Sequence, residues 1–108
     1  MKIDIMQLEF IDKNLRLIAT EAGTHFGVEF AITSLYRISD NGVHGTLPLR
    51  GLDMRCKDKD LGLLVSKHIN SRWIYDSKRP RKVCCVFHDA GSGFHLHIQV
   101  CNKTKRRA

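Results

Sequence analysis

A pair of histidines near the end of the chain, with a histidine and an aspartate near its middle, is the set of residues best suited to chemistry. His95 and His97 are separated by one residue, and side chains two positions apart on a strand lie on the same face. His44 and Asp53 precede them. Histidines and a carboxylate bind Zn²⁺ tetrahedrally and leave the fourth position to water, whose pKa the ion lowers to about 7. These residues therefore predict a catalytic zinc site.

Three sequence blocks surround these residues. The first runs from Thr33 to Arg37 at the end of an alternating apolar run, the second from Val43 to Arg55, and the third from Gly93 to Val100. In residue types and order the blocks resemble the zinc D-Ala-D-Ala carboxypeptidase and L-alanyl-D-glutamate endopeptidase family, which includes phage endolysins. The resemblance covers about residues 28 to 100, and it implies a small zinc peptidase domain of the hedgehog and DD-peptidase type.

The resemblance also implies a role for individual residues. His44, Asp53 and His97 match the zinc ligands of the family. His95 matches the neighbour that orients the zinc-bound water or stabilises the oxyanion of the transition state.

Substrate binding is implied for the block that ends at Arg37. This residue matches a family arginine that faces a carboxylate or carbonyl group of the substrate, a task for which a planar, permanently charged guanidinium is suited. Tyr36 and Ser34 beside it are expected to contact the substrate.

The activity that the resemblance implies is zinc-dependent hydrolysis of a peptide bond in the peptidoglycan stem peptide, and so action on the bacterial cell wall. The sequence does not decide which residue acts as the general base. His95 is the first candidate, and Asp89 and His88, in the preceding turn, are the alternatives.

A second hypothesis is a non-catalytic virion or wall-associated protein that retains the peptidase fold and the metal. Phe94 stands three positions before His97, where the family commonly places an acidic residue or a histidine as its base. The nine-residue step from His44 to Asp53 is also longer than the family's. Zinc binding without hydrolysis of wall fragments would distinguish this hypothesis from the first.

Positive charge is concentrated in the second half of the chain. Residues 1 to 54 contain 5 Lys and Arg against 7 Asp and Glu, a balance of −2, whereas residues 55 to 108 contain 13 against 4, a balance of +9. Dense basic runs of this kind attract polyanions, of which anionic wall polymers are one class. Nucleic acid is less favoured as a partner, because the runs lack interleaved aromatic residues and any recognisable reading helix.

The length of 108 residues predicts a single domain over residues 1 to 102, followed by a basic disordered tail over residues 103 to 108. Charged residues interrupt the first apolar run, so the sequence predicts neither a signal peptide nor a membrane span. Synthesis in a cytoplasm, that of the host for a phage protein, is therefore expected. The four cysteines lack a C-x-x-C spacing and are expected to be buried free thiols.

The elements that must position the site follow from apolar periodicity. A helix is predicted over residues 5 to 22 and ended by Gly23, then a strand over residues 28 to 36 and a short strand over residues 52 to 56 that carries Asp53. Asp58 is predicted to cap a second helix. Residues 82 to 87 and 94 to 101 are predicted to form a hairpin. The buried stripe of the second helix is expected to comprise Leu61, Leu64, Val65, Ile69 and Trp73, with His68 at its edge.

These elements predict an α+β fold, with a small, mostly antiparallel sheet covered on one face by two helices. The proposed zinc ligands are expected on the other face of that sheet.

Overall fold

The fold was obtained as a computed structural model that describes residues 11–27, 31–36, 49–89 and 93–107. These ranges contain two helices and six strands. In chain order they are α1 (Lys13–Phe26), β1 (Ala31–Tyr36), β2 (Gly51–Arg55), α2 (Lys59–Arg72), β3 (Trp73–Ile74), β4 (Cys85–Asp89), β5 (Phe94–Gln99) and β6 (Lys105–Arg106).

Four of the strands form one sheet in the order β1-β2-β5-β4, and every neighbouring pair is antiparallel. In the register of β2 and β5, Leu52 lies opposite Ile98 and Asp53 lies opposite His97. Because side chains alternate between the two faces of a strand, this register separates an apolar face from a polar one.

The apolar face packs against both helices. Leu52 and Met54 of β2 are completely buried in one cluster with side chains of α1 and α2. The cluster also contains Leu15, Ile18, Val65, Ile69, Leu96 and Ile98. The prediction of an α+β fold with an antiparallel sheet and two helices is therefore confirmed at this level.

The first helix begins where an aspartate caps it and ends four residues later than predicted. The Asp12 carboxylate accepts hydrogen bonds from the backbone N–H groups of Asn14 and Leu15, which satisfies donors that a helix start leaves open. Gly27 ends the helix in the left-handed conformation, with φ 64°. The prediction that Gly23 ends it is wrong, because the helix continues to Phe26, whose side chain packs against the core. The predicted start at residue 5 lies outside the described residues.

The second helix begins as predicted, with the Asp58 carboxylate accepting from the N–H of Leu61. In the predicted buried stripe, the burial of Leu64 is wrong, and Trp73 is buried as predicted but lies beyond the helix. Leu64 is 58% exposed, because it lies about 100° around the helix from Val65. Trp73 is buried, but as the first residue of β3.

The predicted tail over residues 103 to 108 is an ordered part of the fold as far as residue 107, so the expectation of disorder is wrong. Strand β6 pairs with β3, with Trp73 opposite Arg106. The Thr104 side chain is buried, donates to the carbonyl of Tyr75 at 2.9 Å and accepts from the N–H of Cys101 at 2.9 Å. The Arg106 guanidinium lies 4.8 Å from the centre of the Trp73 ring. These contacts hold the basic segment against the fold, although its composition alone favours a solvated tail.

The cysteines are free and buried, as predicted: Cys56, Cys84, Cys85 and Cys101. Among the described residues, no helix is both long enough and apolar enough to cross a bilayer.

Candidate functional site

Asp53 and His97 meet on the polar face of the sheet. They occupy facing positions on β2 and β5, so the strand register itself brings them together. The Nδ1 atom of His97 lies 3.0 Å from Oδ1 of Asp53. The side chains are 23% and 30% exposed respectively, so solvent can reach the pair. Of the predicted zinc ligands, the structure thus brings two into direct contact.

Two further imidazoles lie on the same face. His95 precedes His97 by two residues on β5 and lies opposite His88 of β4. The His88 ring centre is 6.4 Å from that of His97. His95 is buried, and its Nδ1 lies 2.9 Å from the carbonyl oxygen of Gly93. One carboxylate is therefore accompanied by three imidazoles, which can act as metal ligands or as proton carriers.

The Asp53 carboxyl responds to this environment. Partial burial raises its pKa above the ordinary value, because desolvation disfavours the charged form. The nearby His95 and His88 act in the opposite direction and lower the pKa, since a protonated imidazole favours the carboxylate. The site is thus electrostatically coupled across three strands.

The spacing of the Asp53–His97 pair suits two ligands of one metal ion. Zn²⁺ binds nitrogen and oxygen donors at about 2.0 to 2.2 Å, so two donors on one edge of a tetrahedron lie about 3.3 Å apart. The observed 3.0 Å separation is that of a hydrogen-bonded ion pair, and it is also close to that edge. No group of three His, Cys, Asp or Glu side chains within the described residues is arranged to hold a metal. His44, the third implied ligand, lies outside those residues.

The implied substrate-binding block lies at the edge of the same sheet. Along β1, Ser34 pairs in register with Asp53, and Tyr36 pairs with Gly51. The backbone of the block thus runs directly beside the carboxylate. The side chains of Ser34 and Tyr36, and the whole of Arg37, lie outside the described part of the chain.

The candidates for the general base lie on different faces of the sheet, because side chains alternate between faces along each strand. Phe94 stacks on Phe87 with ring centres 5.1 Å apart, on the face of the sheet that packs against the helices. Asp89 is two residues from Phe87 on β4, and strand alternation assigns it to that same face. His88 and His95 lie on the face of the Asp53–His97 pair, so the geometry favours them over Asp89.

Sequence reasoning did not identify Gln99 as part of the site. Its Oε1 lies 3.2 Å from Nε2 of His97, and its amide nitrogen donates to the carbonyl of Val83 at 2.9 Å. The available signal was its position two residues after His97 on a predicted strand, which places both side chains on one face.

Comparison of the chain with protein-family models, with curated proteins and with solved structures found no match.

Proposed function

We propose that this chain is a zinc-dependent peptidase that hydrolyses a peptide bond in the peptidoglycan stem peptide, as an endolysin does. The observation that carries the proposal is the contact between Asp53 and His97, which are 44 residues apart in sequence. Two donors at a spacing suited to one metal ion, on a face with two further imidazoles, correspond to two of the three ligands that the sequence resemblance implies.

In the proposed site, His44, Asp53 and His97 would hold the metal. Bound Zn²⁺ would supply an acidic water and an electrophile for the scissile carbonyl. Arg37 would bind an anionic group of the substrate through its guanidinium. The basic second half of the chain would contact anionic wall polymers by charge attraction.

His95 is suited to the role of proton acceptor. A backbone carbonyl oxygen only accepts hydrogen bonds, so the contact with Gly93 keeps the proton of a neutral His95 on Nδ1. The lone pair is then on Nε2, the nitrogen that can take up a proton from water. His88, opposite His95 on β4, is the alternative base on this face.

A second candidate function is a non-catalytic wall or virion protein that retains the fold and the metal. The stacking of Phe94 on Phe87 favours it, because an aromatic packing residue occupies the position where the resembling family carries a base. Zinc binding at one equivalent, without cleavage of any wall fragment, would support this candidate over the peptidase.

The test combines metal analysis with digestion of purified peptidoglycan. We expect the zinc-loaded parent to release new amino groups, with the cleaved bond identified by mass spectrometry of the fragments. His97→Ala should abolish the release and weaken zinc binding by more than about 100-fold, since even residues outside the ligand shell contribute 10- to 100-fold.

His68→Ala is the matched control, because His68 is a partly buried histidine of α2, away from the polar face of the sheet. It should leave both zinc affinity and hydrolysis unchanged. The peptidase proposal is wrong if the parent releases no amino groups while His97→Ala binds zinc as tightly as the parent.

A further inference from the structure

A cavity of about 350 Å³ lies where α1, α2 and β6 meet. Helix α1 contributes Glu21 and His25 to its lining, α2 contributes His68 and Arg72, and β6 contributes Arg106. These elements are the helices and one strand of the two-stranded sheet, whereas the proposed zinc site lies on the four-stranded sheet. The volume falls within the range of about 300 to 1,000 Å³ that is typical of small-molecule sites.

Two stacked imidazoles form part of the wall. The rings of His25 and His68 have centres 4.0 Å apart and planes inclined by 18°. The Phe26 ring lies edge-on to both, at 4.8 Å from His25 and 5.4 Å from His68. Ring packing therefore orients both imidazoles, and within the described residues no hydrogen bond engages their ring nitrogens. Those nitrogens are available to a ligand.

The charge around the cavity is predominantly positive. Arg106 pairs with Glu21, which is the one carboxylate among the described lining residues. In the part of the chain that the structure describes, Arg72 forms no ion pair. Burial, and then repulsion from His25 and Arg72, lowers the pKa of His68. An anion in the cavity would supply the opposite charge that these groups lack.

We propose that this cavity binds the phosphate group of a small phosphate monoester. A guanidinium such as that of Arg72 presents planar N–H donors that match phosphate oxygens. Each imidazole has at least one N–H to donate, and the hydroxyls of Thr20 and Thr24, which also line the cavity, can donate as well. The volume leaves space beside the phosphate for the group esterified to it. The inference is independent of the proposed zinc site.

Sulfate is the first probe, because it has the shape of phosphate and keeps two negative charges from pH 6 to pH 8. We would titrate the metal-free parent at constant ionic strength, with chloride as the replaced salt, and record the ring C–H signals of its histidines by NMR. The signals of His25 and His68 should shift saturably. The pKa of His68 should be higher in sulfate than in chloride, since an anion favours the protonated form. Shifts that do not saturate, or that chloride reproduces, would overturn the proposal.

Three substitutions distinguish a site from general charge attraction. Arg72→Gln should weaken sulfate binding about 10-fold, as expected for loss of a charge-assisted hydrogen bond. Lys59→Gln removes the same charge at the other end of α2, about 20 Å away, and should leave the affinity unchanged. Glu21→Gln removes the opposing carboxylate and should strengthen binding about threefold. Equal losses in Arg72→Gln and Lys59→Gln would overturn the site.

The ligand class is tested by comparing glycerol 3-phosphate with inorganic phosphate at one pH. The ester should bind the parent more tightly, because its organic group occupies the rest of the cavity. Equal affinities would overturn the assignment to a monoester. If Arg72→Gln fails to fold, as judged by circular dichroism, saturation and the pKa of His68 in the parent still decide the proposal. Because the protein is free of metal throughout, failure of the proposed zinc site would not affect these results.

Discussion

At the scale of the residue, the buried core and the polar face of the sheet give their side chains opposite chemistry. Cys84 and Cys85 are buried with the apolar core, and desolvation raises the pKa of each thiol to about 12. The thiolate is the form that attacks electrophiles and binds metals. At neutral pH these sulfurs are therefore inert, whereas the imidazoles of His88 and His97 lie on the polar face, outside the core.

This difference predicts the thiol reactivity of the folded protein. At pH 7.5, Cys84 and Cys85 should not react with a disulfide reagent over a time in which denatured chains react completely at all four cysteines, because both reagent access and thiolate are lacking. The measurement is the number of thiols modified with time, located by mass spectrometry. Cys84→Ala should leave the native count unchanged, and rapid native labelling of Cys85 would contradict the prediction.

Sequence reasoning was effective for residues whose type restricts their environment. It predicted free buried cysteines and a common face for His95 and His97, since both follow from spacing and composition. It could not assign Gln99, because a glutamine in a strand has no distinguishing pattern. Its orientation depends on the carbonyl of Val83, which only the folded chain brings within reach.

At the scale of the element, α2 approaches β4 closely at a glycine. A Cβ atom added at Gly62 would overlap the Phe87 ring, and Phe87 in turn stacks on Phe94. The absence of a side chain at Gly62 therefore fixes how near the helix lies to the sheet.

Gly62→Ala should consequently destabilise the protein. Helix propensity alone favours alanine by about 1 kcal/mol, but overpacking of a filled core typically costs about 1 to 3 kcal/mol. We expect the second effect to dominate and the denaturation midpoint in urea to fall. Lys67→Ala, an exposed substitution on the same helix, should change the midpoint little, and a higher midpoint for Gly62→Ala would show that the ring moves aside at no cost.

The two helices meet at a pair of stacked histidines, which predicts an acid sensitivity. His25 and His68 have ring centres 4.0 Å apart. Burial, and then repulsion from His25 and Arg72, lowers the pKa of His68 below its ordinary value of 6.5. As the pH falls below about 6.5, the unfolded chain takes up this proton more readily than the folded chain.

Stability contributed by a neutral His68 is thus fully present above about pH 6.5 and is lost as the pH falls toward the lowered value. The thermal midpoint should drop between pH 7.5 and pH 5.5, and the drop should be smaller in His68→Gln. Identical drops in the parent and the variant would show that other groups cause the sensitivity. Lys59→Gln, at an exposed position in the first turn of α2, is the control.

Element boundaries show where local patterns fail. Asp58 was predicted correctly as a helix cap because a carboxylate before an apolar-periodic run has a local physical reason. The predicted helix end at Gly23 was wrong, since the left-handed position that glycine favours falls at Gly27. Which of the two glycines ends the helix depends on how far the core extends beneath it, and this is a tertiary property.

At the scale of the whole molecule, the basic end of the chain connects the helices to the small second sheet. The guanidinium of Arg106 pairs with Glu21 of α1 and covers Trp73. The backbone N–H of Arg107 donates to the carbonyl of Arg72 at 2.7 Å. The α+β class was predictable from the order of helices and strands. The contacts of Arg106 and Arg107 were not predictable, because a run of five residues with four basic side chains also has the composition of a solvated tail.

Removal of residues 103 to 108 should therefore weaken the fold as well as lower the charge. The deletion removes β6, the cover of Trp73 and the buried hydrogen bonds of Thr104. Leaving one such buried group unsatisfied costs about 1 to 3 kcal/mol. Thr104→Val keeps the shape and the charge but removes the hydroxyl. In urea denaturation it should therefore lose the part of the stability that comes from the hydrogen bonds of Thr104.

Lys105→Gln is the control, because it removes an exposed charge and should have little effect on stability. Equal stability of the parent and the deletion variant would show that β6 contributes nothing to the fold.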